Sequence, residues 1–233
     1  MRCAITYVPP PDDPLSLRAA AWLGRDAYSG APCLADVEGL TAADHSFLTV
    51  LPRRAGFHAT LKPPFVLETG HSVHELERRL GEYAHQLQPA RVALEIARIA
   101  SFFAFVPTAP VPDIVRLAAN IVAEFDGFRR PLERDEIERR SAARLNAAQL
   151  ANLEKWGSPF VFDQYHFHMT LTGPVDRSER DHVARVLERY FGRQPVEIVL
   201  DRLVLAVQDE AHEPFRIHST HRFALPSALR IAS

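Results

Sequence analysis

The sequence Phe-His-x-Thr-Leu occurs twice, as FHATL over residues 57–61 and as FHMTL over residues 167–171, so that His58 and His168 stand 110 positions apart. In an extended strand, residues two apart share a face. The first copy therefore sends His58, Thr60 and Lys62 one way and Phe57, Ala59 and Leu61 the other. The second sets His166, His168, Thr170 and Thr172 against Phe167, Met169 and Leu171. Each copy offers an imidazole and a hydroxyl to one surface and anchors itself in a core with the other.

The segments that follow the two copies repeat the same order. After the first, Val73, Leu76, Leu80, Tyr83 and Leu87 predict a helix from about Ser72 to Leu87, and VALEIARI and FFAFVP read as strands. After the second, Val183, Val186 and Leu187 predict a helix over 178–191, with VEIVLDRLVLAV and FRIHSTHRFAL as strands. The expectation is an α+β protein: two pseudo-symmetric lobes, their antiparallel sheets facing across a central cleft, helices outside. Residues 1–233 form a single two-lobed domain on this reading, with a first unit over about 57–106, a helical insertion over 111–159 and a second unit over 164–225. A strand over 2–8 and a helix over 15–29, carrying Leu15, Ala19, Trp22 and Leu23, open the chain; the stretch from there through Pro52 is looser. Pro63-Pro64 is expected to break the first motif strand just beyond Lys62. The six arginines between Arg129 and Arg144 alternate with Glu and Asp and read first as a solvated helix face, the alternative being a phosphate-facing lid.

An apolar fraction of 47% over 233 residues supports a sizeable core. A net charge of -2 gives no overall drive toward nucleic acid or a membrane surface, so any phosphate site must be local. Cys3 and Cys33 are too few for a disulfide framework or a thiolate zinc site and fit a reducing compartment. The opening MRCAITYVPPPDDP breaks into prolines too soon for a signal peptide, and no apolar run approaches membrane-spanning length. A cytoplasmic, soluble protein is expected.

Two imidazoles can divide acid-base labour near neutral pH, one taking a proton from an attacking water and the other giving one to a leaving oxygen. Two threonine hydroxyls can donate to the non-bridging oxygens of a phosphorus centre as charge accumulates there. The set suits phosphodiester chemistry without a metal or other cofactor. Lys62 would neutralise added charge, His166 would contact phosphate or orient the acid-base pair, and Arg54 is a further candidate contact. His166 and His168 also make a strand His-x-His, but neither motif contains the acidic residue that would complete a coordination set.

The two motifs resemble those of the two-histidine phosphoesterases, a superfamily with two His-x-Thr/Ser-hydrophobic motifs on pseudo-symmetric lobes. It includes cyclic nucleotide phosphodiesterases and RNA-ligating enzymes that act on 2′,3′-cyclic phosphate ends. The resemblance implies a site made of His58, Thr60, His168 and Thr170. GFHATLKPPF and FHMTLTG, with RPLERDEIERR and LEKWGSPFVF, are similar to a bacterial branch of unassigned function associated with phosphonate-utilisation genes, over nearly the whole chain. That branch carries a tyrosine near position 3 and a Gly-Tyr-Pro-Tyr run where this chain has Cys3 and Gly157-Ser158-Pro159-Phe160. The implied activity is hydrolysis of a small cyclic phosphodiester. The alternatives are an RNA-end 2′,3′-cyclic phosphodiesterase or ligase, and a non-catalytic module that binds a phosphorylated metabolite or nucleotide. The expected partner is a small phosphorylated or cyclic-phosphate substrate, with nucleic acid disfavoured by the charge and no membrane.

Overall fold

The computed structural model describes residues 1–33, 35–141 and 144–224. Residue 225, the expected end of the second unit, and residues 142–143 of the arginine-rich segment lie outside them. The chain runs through β1 (Arg2–Tyr7), α1 (Pro14–Leu23), α2 (Ala42–Arg53), β2 (Ala59–Val66), α3 (Val73–Ala84), β3 (Ala90–Ile99), β4 (Phe102–Pro107) and α4 (Pro112–Glu124). It continues through α5 (Arg134–Ser141), α6 (Ala147–Trp156), β5 (Met169–Thr170), α7 (Arg180–Phe191), β6 (Val196–Leu200), β7 (Arg202–Gln208) and β8 (Arg216–Arg222).

The fold is α+β. The strands form one sheet in the order β6-β3-β4-β5-β2-β1-β7-β8, with every pairing antiparallel. The two sheets expected to face one another are therefore halves of a single sheet, joined where the motif strands β2 and β5 pair at its centre. The segment VEIVLDRLVLAV, read as one strand, is split at Asp201 into β6 and β7. Five strands separate β6 from β7 in the sheet although one residue separates them in the chain, so the sheet must curl until β6 approaches β7. The Tyr7 hydroxyl, donating to the Val199 carbonyl at 3.1 Å, ties the end of β1 to β6 across that curl.

One face of the sheet is apolar. Cys3, Ile5, Tyr7, Ala59, Leu61, Phe105, Met169, Leu203 and Leu205 pack there against Trp22 of α1, Leu76 and Leu80 of α3, Ile121 of α4 and Leu187 of α7. Burial of this surface is the main drive to the fold. Helix ends follow their local signals: Asp13 accepts from the amides of Leu15 and Ser16 to start α1, and Gly24, left-handed at φ 76°, ends it. The expected helix over 15–29 thus stops at Leu23.

The looser stretch before Pro52 contains a helix, α2, capped by Thr41, whose hydroxyl accepts from the Asp44 amide. Its apolar residues do not make one stripe. Leu48 is buried while Phe47, Val50 and Leu51 are exposed, and Pro52 sits within the last turn, which blurs the helical period.

Candidate active site

β2 and β5 carry the two motifs, and Ala59 lies opposite Met169 in their antiparallel pairing. The neighbours of that pair leave the other face of the sheet, so His58, Thr60, His168 and Thr170 share one side, with Thr60 across from His168 and His58 across from Thr170. Phe57 and Phe167 are buried, at 2% and 3% exposed, as strand parity requires.

The two histidines are held in the same way. His58 Nδ1 lies 2.9 Å from the Gly56 carbonyl and His168 Nδ1 lies 2.8 Å from the His166 carbonyl. A carbonyl only accepts, so each Nδ1 carries the proton, and in the neutral ring each Nε2 presents a lone pair. His58 Nε2 lies 3.1 Å from Thr60 Oγ1, whose hydroxyl is the donor in that tautomer. Gly56 enables its half of the arrangement by adopting φ 75°, and a Cβ there would meet the Ala27 Cβ at 2.8 Å.

Burial pushes the His58 imidazole below its ordinary pKa, partly offset by the Gly56 carbonyl, and the neighbouring His168 lowers it further. His58 is thereby disposed to stay neutral, as a proton acceptor must. His168 stands beside the Phe102 ring, with centroids 5.7 Å apart.

The second motif strand is fastened from outside. Trp22 Nε1 donates to the Leu171 carbonyl at 2.8 Å, and the Tyr165 phenol donates to the Thr60 carbonyl at 3.0 Å, joining the two motif segments. Thr172 takes a structural part: its hydroxyl accepts from the Phe103 amide at 3.0 Å and donates to the Gly173 carbonyl at 2.8 Å.

The three further candidate contacts stand in different places. Lys62 does not reach the site. The register between β1 and β2 shifts between Ile5 and Thr6, from Lys62 opposite Ile5 to Thr60 opposite Thr6. This bulge turns Lys62 to the apolar face, where its ammonium bonds the Val122 carbonyl at 3.1 Å and Asp126 at 3.4 Å. Burial pushes the Lys62 pKa down to about 8 despite Asp126. Pro63-Pro64 accordingly distort β2 without ending it. The Arg54 guanidinium donates to the Ala211 carbonyl at 2.7 Å, bracing the turn before β8. His166 contributes its backbone carbonyl, while its exposed side chain lines a separate cavity of about 960 Å³ with Val106, Pro107, Val111, Arg116 and Tyr165.

Sequence reasoning missed Thr6 and Tyr165. Thr6 stands opposite Thr60 and lines a cavity of about 40 Å³ with His58, Thr60, Ala4, Pro64 and Ile217. Its signal was the alternation of β1, which nothing in the sequence connected to either motif. Among the described residues, no three of the His, Cys, Asp and Glu side chains converge as a group that could hold a metal ion, and no helix is long and apolar enough to cross a membrane.

Residues 60–216 match the model of a family described as "Protein of unknown function (DUF1045)". A protein of Janthinobacterium sp. (strain Marseille) named "Ribose 1,5-bisphosphate phosphokinase PhnN" is 33% identical over 221 residues, 92% of this chain and 49% of that protein. The chain thus spans about half the length of the curated relative. Solved structures match at low identity, among them TT0787 of Thermus thermophilus, at 14% identity and TM-score 0.45 over 95% of this chain and 97% of that one, and E. coli LigT complexed with 3′-AMP, at 10% identity and TM-score 0.40 over 95% and 97%.

Proposed function

The chain belongs to the DUF1045 family of proteins of unknown function, and from its site we propose that it is a phosphoesterase that hydrolyses a small, ribose-derived cyclic phosphodiester by paired histidine acid-base catalysis. The observation that carries the reading is the matched presentation of two Nε2 atoms, each fixed by an Nδ1 bond to the carbonyl two residues before it. That curated relative is named for a ribose bisphosphate, which favours a ribose-derived substrate, and the resemblance to the phosphonate-associated branch favours a place in phosphonate metabolism.

In the proposed reaction, His58 Nε2 takes a proton from water as its oxygen attacks phosphorus. His168, protonated at Nε2, gives its proton to the ester oxygen as the P–O bond breaks, leaving a phosphate monoester and a free hydroxyl. Thr60 turns its hydroxyl from His58 to a non-bridging oxygen, and Thr170 donates to another. The low pKa of His58 favours it as base, which leaves the donor role to His168. No metal or organic cofactor has a step in this scheme.

The test is hydrolysis of ribonucleoside 2′,3′-cyclic phosphates, followed as monoester product, with and without a chelator. Turnover that survives chelation and falls in the His168→Ala variant is expected. Binding of these compounds with no turnover would replace this reading by that of a non-catalytic phosphate-binding module.

A further inference from the structure

β1 gives the site a second end. Its alternation places Arg2, Ala4 and Thr6 on the face that carries Thr60, because Thr6 lies opposite Thr60 and the β1–β7 register runs without a shift from Arg2 to Thr6. Thr6 is 4% exposed and its hydroxyl oxygen has no hydrogen-bond partner among the described residues. Buried polar atoms of this kind are uncommon and call for a ligand, ion or water to complete them. Ala4 adds only a methyl group, so the surface from Thr6 toward Arg2 is low.

Arg2 stands four residues of extended strand from Thr6, roughly 13 Å. Its Nε donates to the Gln208 Oε1 at 2.7 Å, a neutral partner. Burial lowers its pKa, and the charges of Arg140 and Arg54 lower it further. Arg2 is also opposite Val66, whose carbonyl accepts from the Arg130 amide at 2.8 Å, so the insertion is stitched to β2 beside it.

A cavity there is lined by Arg2, Arg129, Arg130, Arg140, Glu136 and Gly157, and it shares Pro64 as a wall with the cavity of His58 and Thr60. Arg129 is matched by Asp126 at 2.8 Å. The remaining three guanidinium groups have two carboxylates between them: Glu136, 3.1 Å from Arg130 and 3.9 Å from Arg140, and the exposed Glu133, 3.7 Å from Arg130. Arg130 Nε is buried without a partner among the described residues. In a chain of net charge -2, three guanidinium groups with a surplus positive charge at one point are a local concentration. They attract an anion, and planar guanidinium groups match the oxygens of a phosphate monoester.

We infer that Arg2, Arg130 and Arg140 form a subsite for a phosphate monoester carried by the substrate, at the far end of the groove whose other end holds the cyclic phosphodiester at His58 and His168. The assignment of the cyclic ester rests on the proposed phosphoesterase reading; the monoester subsite does not need turnover to be seen. The substrate class is a phosphorylated sugar or nucleotide with the cyclic ester at one end and the monoester at the other, and Thr6 donates to the part between them. The insertion then has two faces. Arg134 and Arg139 pair with Glu138 and Asp135 in solvent, while Arg130 and Arg140 turn to the groove.

The subsite is tested by titrating the intact protein with ribose 5-phosphate, with ribose as the control, and reading binding by calorimetry. Saturable binding of the phosphate, at least tenfold tighter than ribose, is expected in the native chain and in His168→Ala. In Arg2→Gln and in Arg140→Gln, the latter at a partly exposed position that leaves folding intact, affinity should fall tenfold or more. Arg2→Lys, which keeps the charge and loses the fork, should fall between. Equal affinities for ribose and its phosphate in the native chain, or unchanged affinity in both glutamine variants, would overturn the subsite. Kinetics separate it from the parent reading: a 5′-phosphate on a nucleoside 2′,3′-cyclic phosphate should raise kcat/KM at least tenfold, and Arg2→Gln should abolish that gain through KM. Equal turnover of the two compounds would end the subsite and leave the phosphoesterase standing. Phosphate binding without turnover of either compound would do the reverse.

Discussion

Ala59 and Met169 stand directly opposite one another where β2 meets β5. A slip of one residue in that pairing would send one motif's histidine and threonine into the apolar core. The buried Phe57, Leu61, Phe167 and Leu171 that flank the pair fix the register and hence the site.

Replacing His58 or His168 by alanine should each lower turnover of the best cyclic phosphate by about 100-fold or more. The double variant should lose far less than the product of the two, because the pair acts as a unit. Thr60→Val and Thr170→Val should be milder, each removing one donor to the phosphoryl oxygens. Steady-state kinetics of the five proteins decides this, and near-full turnover in His58→Ala would make the motif structural.

The acid limb of kcat/KM should lie below the ordinary histidine value of about 6.5, since burial and His168 keep His58 neutral to lower pH. Stability should follow the same group. His45, His58 and His221 all have lowered values in the fold, so below about pH 6.5 the unfolded chain takes up protons that the folded chain resists. Their contribution is present above that pH and is lost as pH falls toward the folded values. Thermal melts between pH 8 and 5 should show Tm falling on the acid side, less steeply in His58→Asn. An acid limb above pH 7 would remove His58 as the base.

Lys62→Met should leave turnover within about twofold of the native chain, because the ammonium lies on the helix-covered face. Tm should be unchanged or higher, since a buried charge is replaced by a similar apolar volume and Asp126 keeps its bond to Arg129. A large loss of kcat with normal Tm would return Lys62 to the site.

Gly56→Ala should destabilise the fold by about 1–2 kcal/mol, since alanine must take a left-handed conformation and press on Ala27. It should also lower kcat, because the Gly56 carbonyl sets the tautomer and aim of His58. Denaturant titration and kinetics on the same variant measure the two effects.

The four motif residues were legible because duplication makes strand parity testable against itself: one alternation could be accidental, two set the same face. Lys62 was misplaced because parity assumes an unbroken strand, and the bulge is a property of the β1–β2 pair that the run ATLKPP does not display alone. The eight-stranded sheet was hidden for a related reason. A strand's partners are set by long-range pairing, and the bend at Asp201, where the carboxylate holds the Arg202 guanidinium at 2.7 Å, looks in sequence like one polar pair inside an apolar run. Arg54 lies close to FHATL in the chain yet braces the turn before β8, whereas Arg2 lies far from it in the chain and adjoins its strand only through β1.

The exchange of strands between the halves bears on how the molecule is made. β3 and β4 follow the first motif in the chain but line up beside β5 of the second, and β1, which precedes both motifs, is flanked on one side by β7, which follows them. Such distant pairings must close long loops before any contact rewards them, which slows folding. The histidines meet at the seam that these pairings create, so in a refolding experiment the recovery of activity should track the slowest kinetic phase, while helical signal returns earlier.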